Sequence, residues 1–219
     1  VNPGGSSSAA DAIALGAHVG THMDALCHFS QDGALHGGES AEDCQSYAAG
    51  VRLHSIDTVA PVWRRGVLLD VASFLGCESL AGDYCISAAL LEQTAAAERV
   101  EVGEGDVVLI RTGWGRFFED PRRFLGGMTG PGPELEGARW LSARGIFAAG
   151  SDTVAFERIP APSMPVHVHL LVESGIHIIE VLNLEDLARD RVWEFLFVAA
   201  PLKIRNATGA PVRPLAVVL

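Results

Sequence analysis

GAHVGTHMDALCHFSQDG, residues 16–33, is the stretch on which the reading of this chain turns. His18, His22, Asp24 and His28 fall within it, and the whole chain has only 8 histidines. Imidazole and carboxylate at this density suggest a metal site for zinc, manganese or iron, with no thiolate required. Cys27 lies next to His28 but on another side of any helix, and it is given no ligand role. No single regular element can gather all four side chains. A straight strand would spread them over about 30 Å at ~3.3 Å per residue. An ideal helix, turning about 100° per residue, would leave Asp24 nearly opposite His18. A strand end that bends at Gly20–Thr21 and enters a helix would bring them together, with Asp24 and His28 one helical turn apart.

A second group stands far downstream in PVHVHLLVESGIHIIE, residues 165–180, with His167, His169, His177 and Glu180. Two positions apart on a helix, His167 and His169 face different ways, so one of the two is expected to reach a site. Glu180 ends an apolar run, where a carboxylate at the mouth of a sheet can reach a ligand. Within the run it would be costly unless paired.

The rest of the chain bounds what such a site can serve. With 219 residues and 48% hydrophobic composition, one domain with a sizeable core is expected over residues 1–219. The net charge of −11 argues against nucleic acid and anionic membrane as partners, since phosphate contacts need clustered Lys and Arg. No apolar run is long enough to span a bilayer, and the first residues lack the pattern of a signal peptide. The 4 cysteines show no CxxC spacing and are read as free thiols in a reducing, cytoplasmic setting. Residues 1–8 read as a flexible lead-in, and without an initiator Met the natural chain is expected to begin earlier.

Strands and helices alternate along the sequence. AIALGAHVG (12–20), RRGVLLDVAS (64–73), Val107–Ile110, IFAAG (146–150), IHIIEVLNL (176–184), WEFLFVAAPLKI (193–204) and RPLAVVL (213–219) read as strands. Residues 80–102 contain a helix capped by Asp83 or Ser87, with Leu90, Leu91 and Ala95 inward. Residues 132–146 form another, with Leu135, Ala138 and Leu141 on one side, and VHVHLLVESG (166–175) a third, stopped at Gly175. The apolar runs are continuous rather than alternating, which predicts an α/β domain with a mixed sheet covered on both faces.

HVGTHMDALCHF resembles the HxGTHxDxxxH signature of the cyclase-like metal-dependent hydrolases, the family that includes kynurenine formamidases and isatin hydrolases. LIRTGW (109–114), GSDT (150–153), VHVHLLVESGIHIIEVLNLEDL (166–187) and the closing PLKIRNATGAPVRPLAVV extend the resemblance. It implies a swivelling β/β/α domain assembled as a homodimer or homotetramer. It implies His18, His22 and Asp24 as primary metal ligands, and His28 as either a second-metal ligand or an acid/base group beside one ion. His167 and Glu180 match the downstream ligands, and the Leu170–Leu171 pair three residues on favours His167 over His169. Formamidases read Asp-Ala-Pro where this chain has Asp24-Ala25-Leu26, which tilts the match toward the isatin-hydrolase-like branch.

The expected chemistry is hydrolysis of an amide, lactam or lactone carbonyl in a small aromatic or cyclic substrate. One or two Mn2+ or Zn2+ ions would activate water, with His28 and Glu180 moving the proton. Formamidase, dienelactone-type lactone hydrolysis and cyclisation are alternatives on the same scaffold, and a non-catalytic protein holding metal or a small acid is another. The presence of both His28 and Glu180 favours catalysis. Thr21 and Asp152 are candidates to orient the ligands. Phe29, Trp114 and Phe156 are candidates to line a pocket, and Arg111 to meet an anionic substrate.

Overall fold

Val107 to Ile110 is apolar at every position, a run that suits a strand covered on both faces. In the computed structural model, which describes residues 3–218, it lies near the middle of an eight-stranded sheet. The strands are β1 (His22–Asp24), β2 (Val62–Asp70), β3 (Val107–Arg111), β4 (Ala148–Ser151), β5 (His177–Glu180), β6 (Glu194–Ala199), β7 (Gly209–Pro211) and β8 (Leu215–Val217). Their order is β7-β1-β5-β4-β3-β2-β6-β8. β5, β4, β3 and β2 run parallel, and antiparallel pairs extend the sheet on either side.

Consecutive residues of the central strands serve two cores. Val67, Leu69, Val108, Ile110, Ala149 and Ile178 pack on one face, under α1 (Ala88–Glu98) and α2 (Leu135–Ser142). Leu68, Val107, Leu109, Ala148 and Ile179 pack on the other, against Ile56, Leu182, Phe195 and Phe197. The mixed α/β architecture is therefore the one that the unbroken apolar runs require.

Ser87, rather than Asp83, caps α1: its Oγ accepts from the Leu90 N–H at 3.2 Å. Leu90, Leu91 and Ala95 face inward as expected; Ala138 and Leu141 of α2 are buried, with Leu135 only partly so. The helix after residue 164 is α over Pro165–His167, named α3 here, and continues as a π-helix over Val168–Glu173. A wider turn of this kind often accompanies functional residues.

AIALGAHVG is not a strand. Residues 3–16 run exposed without regular structure, with Ile13 82% accessible, and the strand begins only at His22. The run is apolar, but no neighbouring strand among the described residues offers it a ladder. Of the expected lead-in, residues 1 and 2 lie outside the described residues. The cysteines are unpaired. No helix among the described residues is long and apolar enough to cross a membrane.

Candidate metal centre

Gly20 adopts a left-handed φ of 59°, a conformation that costs glycine little, and this bend delivers the chain into β1. The alternation of a strand then puts His22 and Asp24 on one face and Met23 in the opposite core. Glu180, the last residue of β5, pairs across the ladder with His22 and so shares that face. α3 lies over the same face and lowers His167 onto it. His18 folds back from the preceding turn. After β1 the chain makes a 3-10 turn, Leu26–His28, rather than the α-helical turn the spacing allows.

Two donor groups result. His18, His22 and Asp24 form one, and Asp24, His167 and Glu180 the other, with the donor atoms of each within 4.8 Å of one another. Asp24 belongs to both. Its Oδ1 meets His18 Nδ1 at 2.7 Å and stands 3.6 Å from His22 Nε2, while its Oδ2 lies 4.0 Å from His167 Nε2. Glu180 bridges the groups from the other side, with Oε2 3.3 Å from His22 Nε2 and Oε1 3.2 Å from His167 Nε2. Asp24, His22, His167 and Glu180 are all buried, and Asp24 Oδ2 has no hydrogen-bond partner. A buried carboxylate oxygen without a donor is costly, and a cation removes that cost. The donor types and the orphaned oxygen both fit a divalent ion.

The imidazoles are held by their far nitrogens. His22 Nδ1 donates to the Gly20 carbonyl at 2.8 Å, leaving Nε2 for the site. His18 Nε2 meets Thr208 Oγ1 at 2.9 Å. His167 Nδ1 meets Glu157 Oε1 at 2.7 Å, and the same carboxylate accepts from the His167 and Val166 N–H groups. His177 Nδ1 donates to the Asp24 carbonyl at 2.9 Å and so braces the strand rather than the centre. His169 turns away to Glu173 and Ser142, so the downstream histidine of the cluster is His167.

Electrostatics follow from this packing. Burial alone pulls His167 down, but hydrogen bonds to Glu157 and Glu180 and the charge of Asp24 hold it well above the usual histidine value. His22 is raised on the same balance, burial opposed by Glu180 and Asp24. Burial pushes Glu180 up, yet the two imidazoles win and hold it low. The buried carboxylates thus favour the protonated forms of His22 and His167, the condition in which a divalent cation displaces protons.

His28 stands outside both donor groups. Its ring stacks on that of His18, centroids 4.0 Å apart at 26°, and borders Phe29. Burial, followed by the opposing pull of Asp24 and the push of His18 and His167, leaves its pKa lowered to about 4. With His18, His22 and Glu180 it opens onto a cavity of about 540 Å³ whose far wall includes Phe118 and Phe124.

Several sequence candidates do other work. Trp114 and Phe156 are core residues, whereas Phe29 packs over His167 at 4.9 Å between ring centroids. Arg111 is buried, bound to Asp70 at 2.8 Å and bidentate to Glu185, so it has no fork to offer a substrate. Asp152 accepts from Thr112 and Gly115, and Thr21 donates to the Val181 carbonyl, so neither touches the ligands. Glu157, Thr208 and Gly209 were not legible as site residues. A Cβ on Gly209 would stand 2.5 Å from His18 Cε1, so only glycine admits the ring there.

The chain is similar to several known proteins. A family model described as "Putative cyclase" matches residues 3–158. The chain is 29% identical to an isatin hydrolase of Roseibium aggregatum over 94% of its own length and 73% of the relative's. It is 25% identical to a kynurenine formamidase of Bacillus cereus over 92% of its length and 76% of that protein's. Among solved structures, a novel cyclase superposes with a TM-score of 0.88 at 32% identity, covering 98% of this chain and 74% of the other. An isatin hydrolase bound to the product analogue thioisatinate gives 0.73 at 26% identity, covering 94% and 73%.

Proposed function

The chain belongs to the cyclase family, and on that premise we propose that it is a metal-dependent hydrolase of amide, lactam or lactone carbonyls, with chemistry like that of the isatin hydrolases. The observation that carries this reading is the shared, orphaned carboxylate of Asp24 between two His-containing donor groups. His18, His22 and Asp24 would hold one divalent ion, and Asp24, His167 and Glu180 a second, with Mn2+ or Zn2+ suited to such nitrogen and oxygen donors. Such an ion supplies Lewis acidity that lowers the pKa of water from 15.7 toward about 7 and polarises a carbonyl.

The chain's own groups supply the remainder. His28 is neutral at physiological pH, so a ring nitrogen can accept a proton at the cavity wall. Once protonated it is a strong enough acid to pass that proton to a leaving nitrogen or oxygen. Phe118, Pro121, Phe124, Leu125, Val154 and Val181 give the cavity an apolar wall suited to a small aromatic or cyclic substrate. Leu26, where formamidases carry proline, supports a lactam over a formamide. A cytoplasmic homodimer or homotetramer is the assembly that accompanies this reading, to be measured by light scattering.

The test is metal analysis of the purified protein, then assays of isatin, N-formylkynurenine and dienelactones with added Mn2+ or Zn2+. Ring opening of isatin is expected, lost together with metal binding in His22→Ala. Full activity in metal-stripped His22→Ala would refute the mechanism. Metal binding with hydrolysis of none of these compounds would refute the substrate class.

A further inference from the structure

Residues of β5 alternate between faces, so His177 points to the side of the sheet opposite Glu180. There it lines a separate cavity of about 280 Å³ together with Leu26, His54, Val62, Arg64 and Phe147. Although the chain carries a net charge of −11, this cavity has no carboxylate in its lining. Arg64, exposed on one side, lays its guanidinium over Phe147, 4.2 Å from the ring centroid, and among the described residues donates to the Gly105 carbonyl, at 3.3 Å. No acidic side chain among the described residues pairs with it, whereas Arg65 and Arg111 are each held by two. His177 is 9% accessible, and its ring centroid stands 5.4 Å from that of Phe147. Its Nδ1 is committed to the Asp24 carbonyl, and its Nε2 has no hydrogen-bond partner among the described residues. His54, the other imidazole of the lining, already uses Nε2 on the His36 carbonyl and lies 3.9 Å from Glu39.

An exposed guanidinium with no acidic partner among the described residues and the imidazole of a 9% accessible histidine, both next to the Phe147 ring, line this cavity together. A few polar groups in a mostly apolar lining are what a small-molecule site offers. We propose that this cavity binds a small hydroxy carboxylic acid. The carboxylate pairs with the planar fork of Arg64, which the Phe147 stack pre-orients. The hydroxyl, donor and acceptor at once, satisfies His177 Nε2. The apolar body packs on Leu26, Val62 and Phe147. This site is distinct from the metal centre and does not depend on the hydrolase reading.

The probe is 3-hydroxybenzoate, titrated calorimetrically and followed by the ring 15N signals of His177, with benzoate as the comparison. A ligand of this size is expected to bind with a Kd of about 1 mM. Benzoate should bind several-fold more weakly, by roughly the factor that one neutral hydrogen bond supplies. Arg64→Gln should weaken 3-hydroxybenzoate by about tenfold or more. Ala60→Trp, which fills the cavity from its exposed rim, should abolish binding without touching the core. His22→Ala, which disables the metal centre, should leave binding unchanged. The proposal is overturned if no binding is seen at about 10 mM. It is equally overturned if both Arg64→Gln and Ala60→Trp bind like the parent protein, or if His22→Ala alone removes binding.

Discussion

Glu157→Gln isolates the part of the centre that the sequence did not reveal. Glu157 is 1% accessible and takes three donors: His167 Nδ1 at 2.7 Å, His167 N at 3.0 Å and Val166 N at 3.4 Å. Glutamine keeps the volume and one acceptor but removes the charge that both orients the His167 ring and strengthens its Nε2 as a donor. Loss of such a carboxylate behind a ligating imidazole typically weakens metal binding about 10–100-fold, or ~1.4–2.7 kcal/mol. The same charge helps hold His167 protonated, so its removal also eases competition from the proton. The two effects oppose each other and need separate readouts. The affinity corrected for proton competition, from isothermal titration with Zn2+ or Mn2+ at several pH values, should fall, while the His167 ring pKa of the chelated protein, followed by NMR, should shift downward. Glu157→Asp, which keeps the charge, should recover part of the affinity. A proton-corrected affinity within about twofold of the parent, with an unmoved His167 pKa, would refute the role given to Glu157.

Three further outcomes follow from the same geometry. His28→Gln should retain bound metal and lose about 10²-fold or more in kcat, because the residue lies outside both donor groups; metal content and steady-state rates decide it. Gly209→Ala forces the His18 ring aside, and should lower stability by about 1–3 kcal/mol and loosen metal at the first donor group, read by denaturant melts and metal titration. Chelated and metal-loaded protein should respond oppositely to pH. His22 and His167 have raised folded values, so their stabilisation is complete below the unfolded value near 6.5 and declines as pH rises above it. Glu180, held low, contributes a constant amount over that range. The Tm of chelated protein should accordingly fall between pH 6.5 and 9, whereas added metal, which competes with those protons, should raise the Tm across the same interval.

The sequence alone determined the class of the fold and the kind of chemistry. Apolar runs such as Val67–Leu69 and Val107–Ile110 leave a strand no solvated face, so a covered mixed sheet follows from them directly. The density of imidazole and carboxylate around Asp24 marks a metal-binding segment because few other arrangements need those groups so close together. Spacing also showed that no single element could assemble the site and located the bend at Gly20. It misread AIALGAHVG as a strand, since hydrophobicity signals burial only where a partner exists to supply the burial. Spacing left His167 and His169 undivided, and only the family resemblance favoured His167, because the orientation of a helix about its axis is set by what it packs against.

Tertiary structure decided the rest. Glu180 joins His22 only through the β1–β5 register, across more than 150 residues of chain. Glu157 becomes the anchor of His167 because the turn after β4 runs beneath α3. Arg111 looks like a free cation in the sequence and is saturated in the fold by Asp70 and Glu185. Arg64 looks no different from it, and no acidic side chain among the described residues pairs with it; it lies over the Phe147 ring instead. Local sequence records which groups are present. Which of them meet depends on contacts between distant segments, and those contacts exist only once the sheet has closed.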